Sequence, residues 1–528
     1  MKQRFIPGAI ILAISNIICR LLGLLRSSLL ANAFGATESL DCYLAAFRIP
    51  DLISNIIVLG AVSTVLVPFF VTYLEKKEYN ELHKLINALF QTLLLLMVFL
   101  AIVLYFASPK LVSDFLMAGY DRSHIELTVK LTRIMLLQPI LMGLSSLFGA
   151  VLNSFKKYLV FSLASVSYNI AIILGIIFFV PNFAIYGVVC GVILGALIHL
   201  LLQLTAVLKQ GFRFSRKFIP DKRILPILKI AFPRIMGSAV DQVNRFVYVS
   251  IASFLAVGSI SIFEFSESIS MVPFGLFANS LAITSLPVFS ELYLRRDYAA
   301  LNQALWQRIR IILHLMLPIT IGVVFFARTI ITLLFGYGQF NMEANIVSAA
   351  NTLSWLMLGI CFYAFVPLFV RYFYSYKNTV IPFIIGIISV GVMLCLQYFF
   401  SRSMGVAGLG VGRSIGYIFQ CFCLFFTLVI FIYQKQKLNF LNSRNSRHSL
   451  QQIMKMFIAL GVFILVLIIL NDTVFNHFND KTRFMILIKM FVLSAAGGLS
   501  YFLILYYLKS QDLKIFLNTI GLKFLVRY

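Results

Sequence analysis

Charge is scarce in this 528-residue chain: 12% of the residues are Asp, Glu, Lys or Arg, and only 19 are acidic. A soluble globular chain carries about 25% charged residues. The shortage excludes a water-soluble fold of this size, and 61% hydrophobic residues with a mean hydropathy of +0.95 indicate a polytopic membrane protein. Cysteine is sparse too. Its seven copies (19, 42, 190, 361, 395, 421 and 423) all fall in apolar segments. An odd number with no loop framework argues against structural disulfides. Cys421 and Cys423 point to different sides of a helix and make a poor metal site, and the six histidines are dispersed. The chain has no nucleophile–His pair, no Gly-rich phosphate loop and no acidic metal cluster. A membrane enzyme acting on lipid phosphates is disfavoured, and ATP-driven transport by this chain alone has no support.

What is present is a series of long apolar runs. Fourteen recur, from 8–33 and 40–73 to 450–471 and 484–508. Each is long enough to cross a hydrocarbon core of roughly 30 Å as a helix, the only credible structure for a segment that must satisfy its own backbone in lipid. The fold class is an all-α polytopic membrane protein. The first run follows basic residues, as in a signal peptide, but no small-x-small cleavage site follows it, so it reads as a retained span.

The net charge of +25 suggests nucleic acid, yet the Lys and Arg are scattered through short loops. With the N-terminus in the cytoplasm, the cytoplasmic side holds roughly five times as many of them as the other. Both termini are expected in the cytoplasm, and no nucleic-acid partner is. The basic loop at 209–224 divides a six-helix lobe, 1–208, from a second, 225–434. A loop at 435–449, two further spans within 450–508 and a tail at 509–528 complete the expected organisation.

Polar residues in the spans are costly, about 2.5 to 3.5 kcal/mol for a charge at the bilayer centre, so they usually face an interior. In the first span Asn16, Arg20, Gly23 and Ser27 lie within about 60° of one another, and Arg26 widens the sector to about 120°. These arginines face a cavity, or snorkel to an interface. In the second span Asp41, Arg48 and Asn55 follow one face. Asp41 and Arg48 pair or serve one cavity, or Asp41 caps its helix, and Pro50 should bend the helix in mid-course. The seventh span repeats the spacing of the first with Arg234, Ser238, Asp241 and Arg245, and adds Asn244. This is a ligand set or an internal Arg–Asp network. The eighth carries Glu264 and Glu267, either cation or proton sites or counter-charges to arginine. Arginine forks match phosphate geometry and keep their charge when buried. The inferred substrate is an anion, a phosphate or diphosphate.

The stretch RLLGLLRSSLLANAFGATESLDCYLAAFRIPDL (20–52), followed by LGAVSTVLVPFF, resembles the start of the MurJ/MviN lipid II flippases of the MOP exporter superfamily. Further similarity lies at 150–170, 285–297, 333–340 and 371–383, so the resemblance covers roughly 5–435. It implies two six-helix lobes around a central cationic cavity, plus two helices whose groove holds a polyprenyl tail. It also implies alternating access that moves lipid II, an undecaprenyl-diphosphate-linked glycopeptide, across the bacterial inner membrane for peptidoglycan synthesis. The motion would be driven by membrane potential or a coupling cation (Na+ or H+). Membrane lipids and cell-wall synthesis proteins are the expected partners.

Arg20, Arg26 and Asp41 match the family's functional positions. Three others depart: an aspartate is replaced by Ser27, a second-span arginine falls at Ser54 or Asn55, and an eighth-span arginine falls at Ser268 beside Glu267. The expected substrate-binding set is therefore Arg20, Arg26, Asp41, Arg48, Asn55, Arg234, Arg245 and Glu267, with Asp241 and Asn244 for a coupling ion and Arg234 and Arg245 replacing the lost charge. The alternatives are a flippase for another polyprenyl-diphosphate saccharide, a multidrug exporter (opposed by the arginines) and a transport-inactive scaffold. If the seventh span supplies the missing charge, Arg234→Ala and Arg245→Ala impair flipping as severely as Arg20→Ala; full activity of both variants in a vesicle assay would reject the substitution of charge.

Overall fold

The structure, a computed structural model, describes residues 5–55, 63–215, 217, 221–436, 444–475 and 483–513, with the backbone alone at 5–7, 9, 63–65, 228, 230–241, 444–447 and 474–475. Among these residues every regular element is a helix. In chain order they are α1 (Phe5–Phe34), α2 (Glu38–Ala46), α3 (Arg48–Ser54), α4 (Ser63–Glu75), α5 (Tyr79–Leu111), α6 (Arg122–Met135), α7 (Leu137–Ser154), α8 (Tyr158–Phe178), α9 (Val180–Phe183), α10 (Ile185–Leu208) and α11 (Ile224–Ala252). Then come α12 (Ser259–Pro273), α13 (Asn279–Leu294), α14 (Tyr298–Phe325), α15 (Ala327–Phe335), α16 (Glu343–Tyr363), α17 (Val366–Ser375), α18 (Val380–Met404), α19 (Val406–Gln436), α20 (Arg444–Leu470) and α21 (Arg483–Tyr507). Twelve spans among the described residues are long and apolar enough to cross a membrane. The two remaining apolar runs of the sequence correspond to the broken series α2–α4 and to α11.

The chain divides into two compact units: Met1–Phe265 with Tyr337–Asn345, and Ser266–Gly336 with Ile346–Tyr528. In the first, the second apolar run is interrupted, as Pro50 requires. The break falls at Phe47, between α2 and α3. A proline has no N–H for the carbonyl four residues earlier, and its ring crowds that carbonyl. The carbonyl is that of Ala46, and it accepts a long bond of 3.4 Å from the Thr132 hydroxyl on α6 instead.

The Phe–Gly–Ala motif that ends α1 meets the later segment YGQF. Gly35 has φ of +66°, and a Cβ there would lie 2.6 Å from the Gln339 carbonyl oxygen. Gly338, with φ of +60°, leaves a Cβ no room against Asn32. Two stretches 300 residues apart in sequence thus pack backbone to backbone, which only glycine permits at both positions.

The described part of the basic 209–224 loop is packed. Asn87 of α5 accepts from Ser215 N (2.8 Å) and donates to the Arg213 carbonyl (3.0 Å). Phe214 packs among Phe90, Phe148 and Phe212 in tilted and edge-to-face contacts. Arg223 bonds to Asp221 and to the Tyr73 hydroxyl (3.1 Å), and its side-chain bond to Asp221 holds that carboxyl below its ordinary value.

In the second unit, Phe289, Trp306, Tyr372, Phe373, Leu424 and Leu428 form one apolar core. A second joins Met456, Leu460, Phe463 and Leu467 of α20 to Leu493, Tyr501 and Leu505 of α21, with Leu313 and Leu317 of α14 against it. Apolar contact alone holds membrane helices weakly, because lipid offers the same contact. The final pair is also tied by charge. Arg310 Nε of α14 donates to both oxygens of Asp512 (2.9 and 3.0 Å), and its Nη1 donates to the Ser449 hydroxyl. His314 bridges Asp512 (3.2 Å) and the Tyr501 hydroxyl (2.8 Å). The turn at Ser510 and Gln511 is held by Gln452 (both 3.2 Å).

Burial acts to raise the Asp512 carboxyl, but the His314 bond and the Arg310 charge outweigh it and hold it below the ordinary range. Because the folded value is depressed, the clamp's contribution is complete above the unfolded value of about 3.9 and is lost as pH falls below it. Asp512→Asn leaves Arg310 buried without its counter-charge, at a cost of about 3 kcal/mol. Thermal unfolding in detergent should show this loss near neutral pH, and the gap between wild type and variant should close as the pH drops through the carboxylate range.

Candidate functional site

Helix α1 shows which of its sides is polar. Its exposed large apolar residues are Ile10, Ile14, Ile17, Ile18, Leu21 and Leu25. At 100° per residue they lie roughly opposite the sector of Arg20, Gly23, Arg26 and Ser27. A Cβ on Gly23 would meet nothing within 4 Å, so this sector borders open space. The Ser27 hydroxyl turns inward to the Gly23 carbonyl (3.1 Å) and offers no charge in place of the family's aspartate. Arg20 and Arg26 are both half-buried. Among the described residues, Arg26 has no hydrogen-bond partner.

The residues around Arg26 come from four elements of the first unit. Asp51, one turn beyond Arg48 on α3, feels the charges of Arg48, Arg245 and Arg26. Tyr43 of α2 and Tyr168 of α8 also lie in the field of Arg26. Arg48 is buried, and its Nη2 donates to the Tyr248 hydroxyl (2.5 Å) and to Glu264 Oε1. The Tyr248 hydroxyl donates to the same carboxylate oxygen, and its ring lies 5.3 Å from the guanidinium carbon. Arg245 and Tyr248 are three apart on α11, so they share a face of that helix. Arg26, Arg48 and Arg245 thus all act on the Asp51 carboxylate, and Arg48 is also bonded to Glu264. A group of this kind suits an oxyanion with several acceptor oxygens better than a cation.

The other expected residues lie elsewhere. Asp41 does not pair with Arg48. It is fully buried and accepts from the Tyr120 hydroxyl (2.6 Å), Gly258 N (2.9 Å), Ser261 N (2.8 Å) and the Ser261 hydroxyl (2.5 Å). It therefore caps the start of α12 rather than its own helix. Asn55 donates to the Asp51 carbonyl (3.0 Å) at the end of α3. Glu267, in the second unit, accepts from Arg413 Nη1 of α19 at 2.5 Å, with both residues buried. Asn244 is buried, and among the described residues its Oδ1 has no hydrogen-bond partner. The side chains of Arg234 and Asp241 lie outside the described residues. Among the described residues no group of three or more His, Cys, Asp or Glu could hold a metal ion.

Sequence reasoning missed Tyr248 and Arg413 as partners of the two α12 carboxylates. For Arg413 the signal was available: it is a lone arginine within the apolar run GLGVGRSIGYIF. For Tyr248 there was none, since one tyrosine among 23 has nothing to distinguish it.

The family model for lipid II flippase MurJ matches residues 30–482. The probable lipid II flippase MurJ of Buchnera aphidicola subsp. Baizongia pistaciae is 26% identical over 512 residues, covering 96% of this chain and 97% of the relative. That of Vibrio cholerae is 27% identical over 426 residues, 79% of this chain and 81% of the relative. Among solved structures, a lipid II flippase MurJ in an inward closed conformation superposes with a TM-score of 0.73 at 25% identity, over 97% of this chain and 99% of that one. An inward-facing multidrug-resistance MATE transporter of the MOP superfamily shares the fold, with a TM-score of 0.69 at 16% identity over 79% and 96%. With fourteen apolar segments, an arginine-rich cluster in its first unit and a match across most of its length, this chain belongs to the lipid II flippase MurJ family, a family of multi-pass membrane transporters and not of enzymes.

Proposed function

We propose that this protein moves lipid II from the cytoplasmic to the outer leaflet of the bacterial inner membrane by alternating access. Arg26, Arg48 and Arg245 bind the diphosphate, and Arg20 lines the same polar side of α1. The observation that carries this reading is Arg26. A guanidinium on a membrane helix, with no hydrogen-bond partner among the described residues and acting on the same carboxylate, Asp51, as Arg48 and Arg245, is a costly arrangement that an anionic ligand relieves. Arg245 supplies charge that the family pattern places on other helices. In this reading Asp41 acts as a structural cap, and Glu267 with Arg413 as an internal pair of the second unit. Both termini face the cytoplasm, lobes 1–208 and 225–434 carry the transport cycle, and Asp241 with Asn244 holds the coupling cation.

Two measurements test it. Depletion of the protein in its host should leave lipid II accumulated on the cytoplasmic leaflet, and no accumulation would overturn the assignment of substrate. Arg26→Ala should fail to restore growth and should weaken binding of purified lipid II by at least about tenfold, as expected for a lost charge-assisted contact of about 1.5 kcal/mol or more. Arg26→Ala with wild-type binding would remove the diphosphate site from this cluster.

A further inference from the structure

We propose that Glu264 is a built-in counter-anion. Its carboxylate occupies at Arg48 the place that a phosphate of the substrate takes, and binding proceeds by exchange of one anion for the other. This rests on the reading that the cluster of Arg26, Arg48 and Arg245 binds a diphosphate.

The geometry makes Arg48 the fixed partner and Glu264 the exchangeable one. The Arg48 side chain is 8% exposed and that of Glu264 is 22% exposed. Arg48 is also braced by the fully buried Tyr248, which contributes both its hydroxyl and its ring face. The pairing is incomplete. One carboxylate oxygen, Oε1, takes the bonds from both Arg48 Nη2 and the Tyr248 hydroxyl. Among the described residues, Arg48 Nε is buried and has no hydrogen-bond partner. A guanidinium edge bonds best when Nε and an Nη donate in parallel to two oxygens of one anion, and a buried donor left empty is a cost. Glu264 satisfies half of that edge. A phosphate, with its several oxygens, can satisfy both donors and also accept from Tyr248.

The charges require exchange rather than addition. A diphosphate entering beside Glu264 and Asp51 would meet like-charge repulsion in a medium that screens it poorly. When the substrate leaves, Glu264 returns and neutralises Arg48, so the empty carrier reorients without an uncompensated buried cation. Glu264 is thus a positioning residue that sets how tightly the substrate is held and how readily it is released.

The test uses the full chain, purified in detergent for binding and reconstituted in vesicles for flipping, with lipid II as the probe. If the carboxylate holds the site about nine-tenths of the time, removing its charge tightens binding by about tenfold. Glu264→Gln should therefore bind lipid II about tenfold more tightly than wild type, complete a first turnover and slow in later ones. Glu264→Asp, which keeps the charge, should stay within about twofold of wild type in both. A residue with only a structural role would give weaker binding and a lower melting temperature in Glu264→Gln. Unchanged or weaker binding by Glu264→Gln, or equal tightening by Glu264→Asp, would overturn the proposal. If wild type binds and Arg26→Ala does not, while Glu264→Gln fails to tighten, the diphosphate reading stands and the counter-anion falls. If wild type itself does not bind lipid II, both fall.

Discussion

A guanidinium group cannot shed its charge inside a membrane, and the rest of this structure follows from how each buried arginine is compensated. An arginine has a pKa above about 12, so burial does not neutralise it as it would a lysine or a carboxylic acid. The chain answers with carboxylates. Arg48 takes Glu264, Arg413 takes Glu267 and Arg310 takes Asp512. With only 19 acidic residues against 44 basic ones, each such carboxylate is committed to a specific partner. Among the described residues Arg26 has no such partner, and it sits on the polar side of the first helix.

The three pairs do different physical work. Arg310 and Asp512 are both held in additional bonds, to Ser449 and His314, so this pair is a well-satisfied clamp that keeps the last helix pair in register with α14. Arg413 and Glu267 are both nearly inaccessible inside the second unit. Arg48 and Glu264 are unequal, with a buried cation and a more accessible anion. A locked pair stabilises a structure. A pair with one accessible partner is suited to being opened.

Asp41 shows how a polar residue in a membrane helix can be held by the chain's own donors. Its type, position and resemblance to a functional aspartate all suggested a cavity-facing group. In the fold all its bonds are taken by the chain's own donors, two of them backbone N–H groups at the start of α12. A buried carboxylate accepting that many bonds has little left for a substrate, and its removal would free donors that have nowhere else to go. It fixes the end of the helix that presents Glu264.

The sequence by itself determined the class of molecule, the number of apolar segments, the break near Pro50 and the polar side of α1. Each of these depends on composition or on local periodicity within one helix. It also singled out Arg26, Arg48 and Arg245 as chemically significant, because a charge in an apolar run is visible without knowing its neighbours. Pairing was decided only by tertiary structure. Arg48 meets residues about 200 positions away on α11 and α12, and Asp41 meets residues 217 and 220 positions away. Helical periodicity tells which side of a helix a residue occupies and nothing about which helix faces it. Whether a given charge is a free ligand, a cap or half of a closed pair is therefore a property of packing between helices, and the linear pattern carries no record of it.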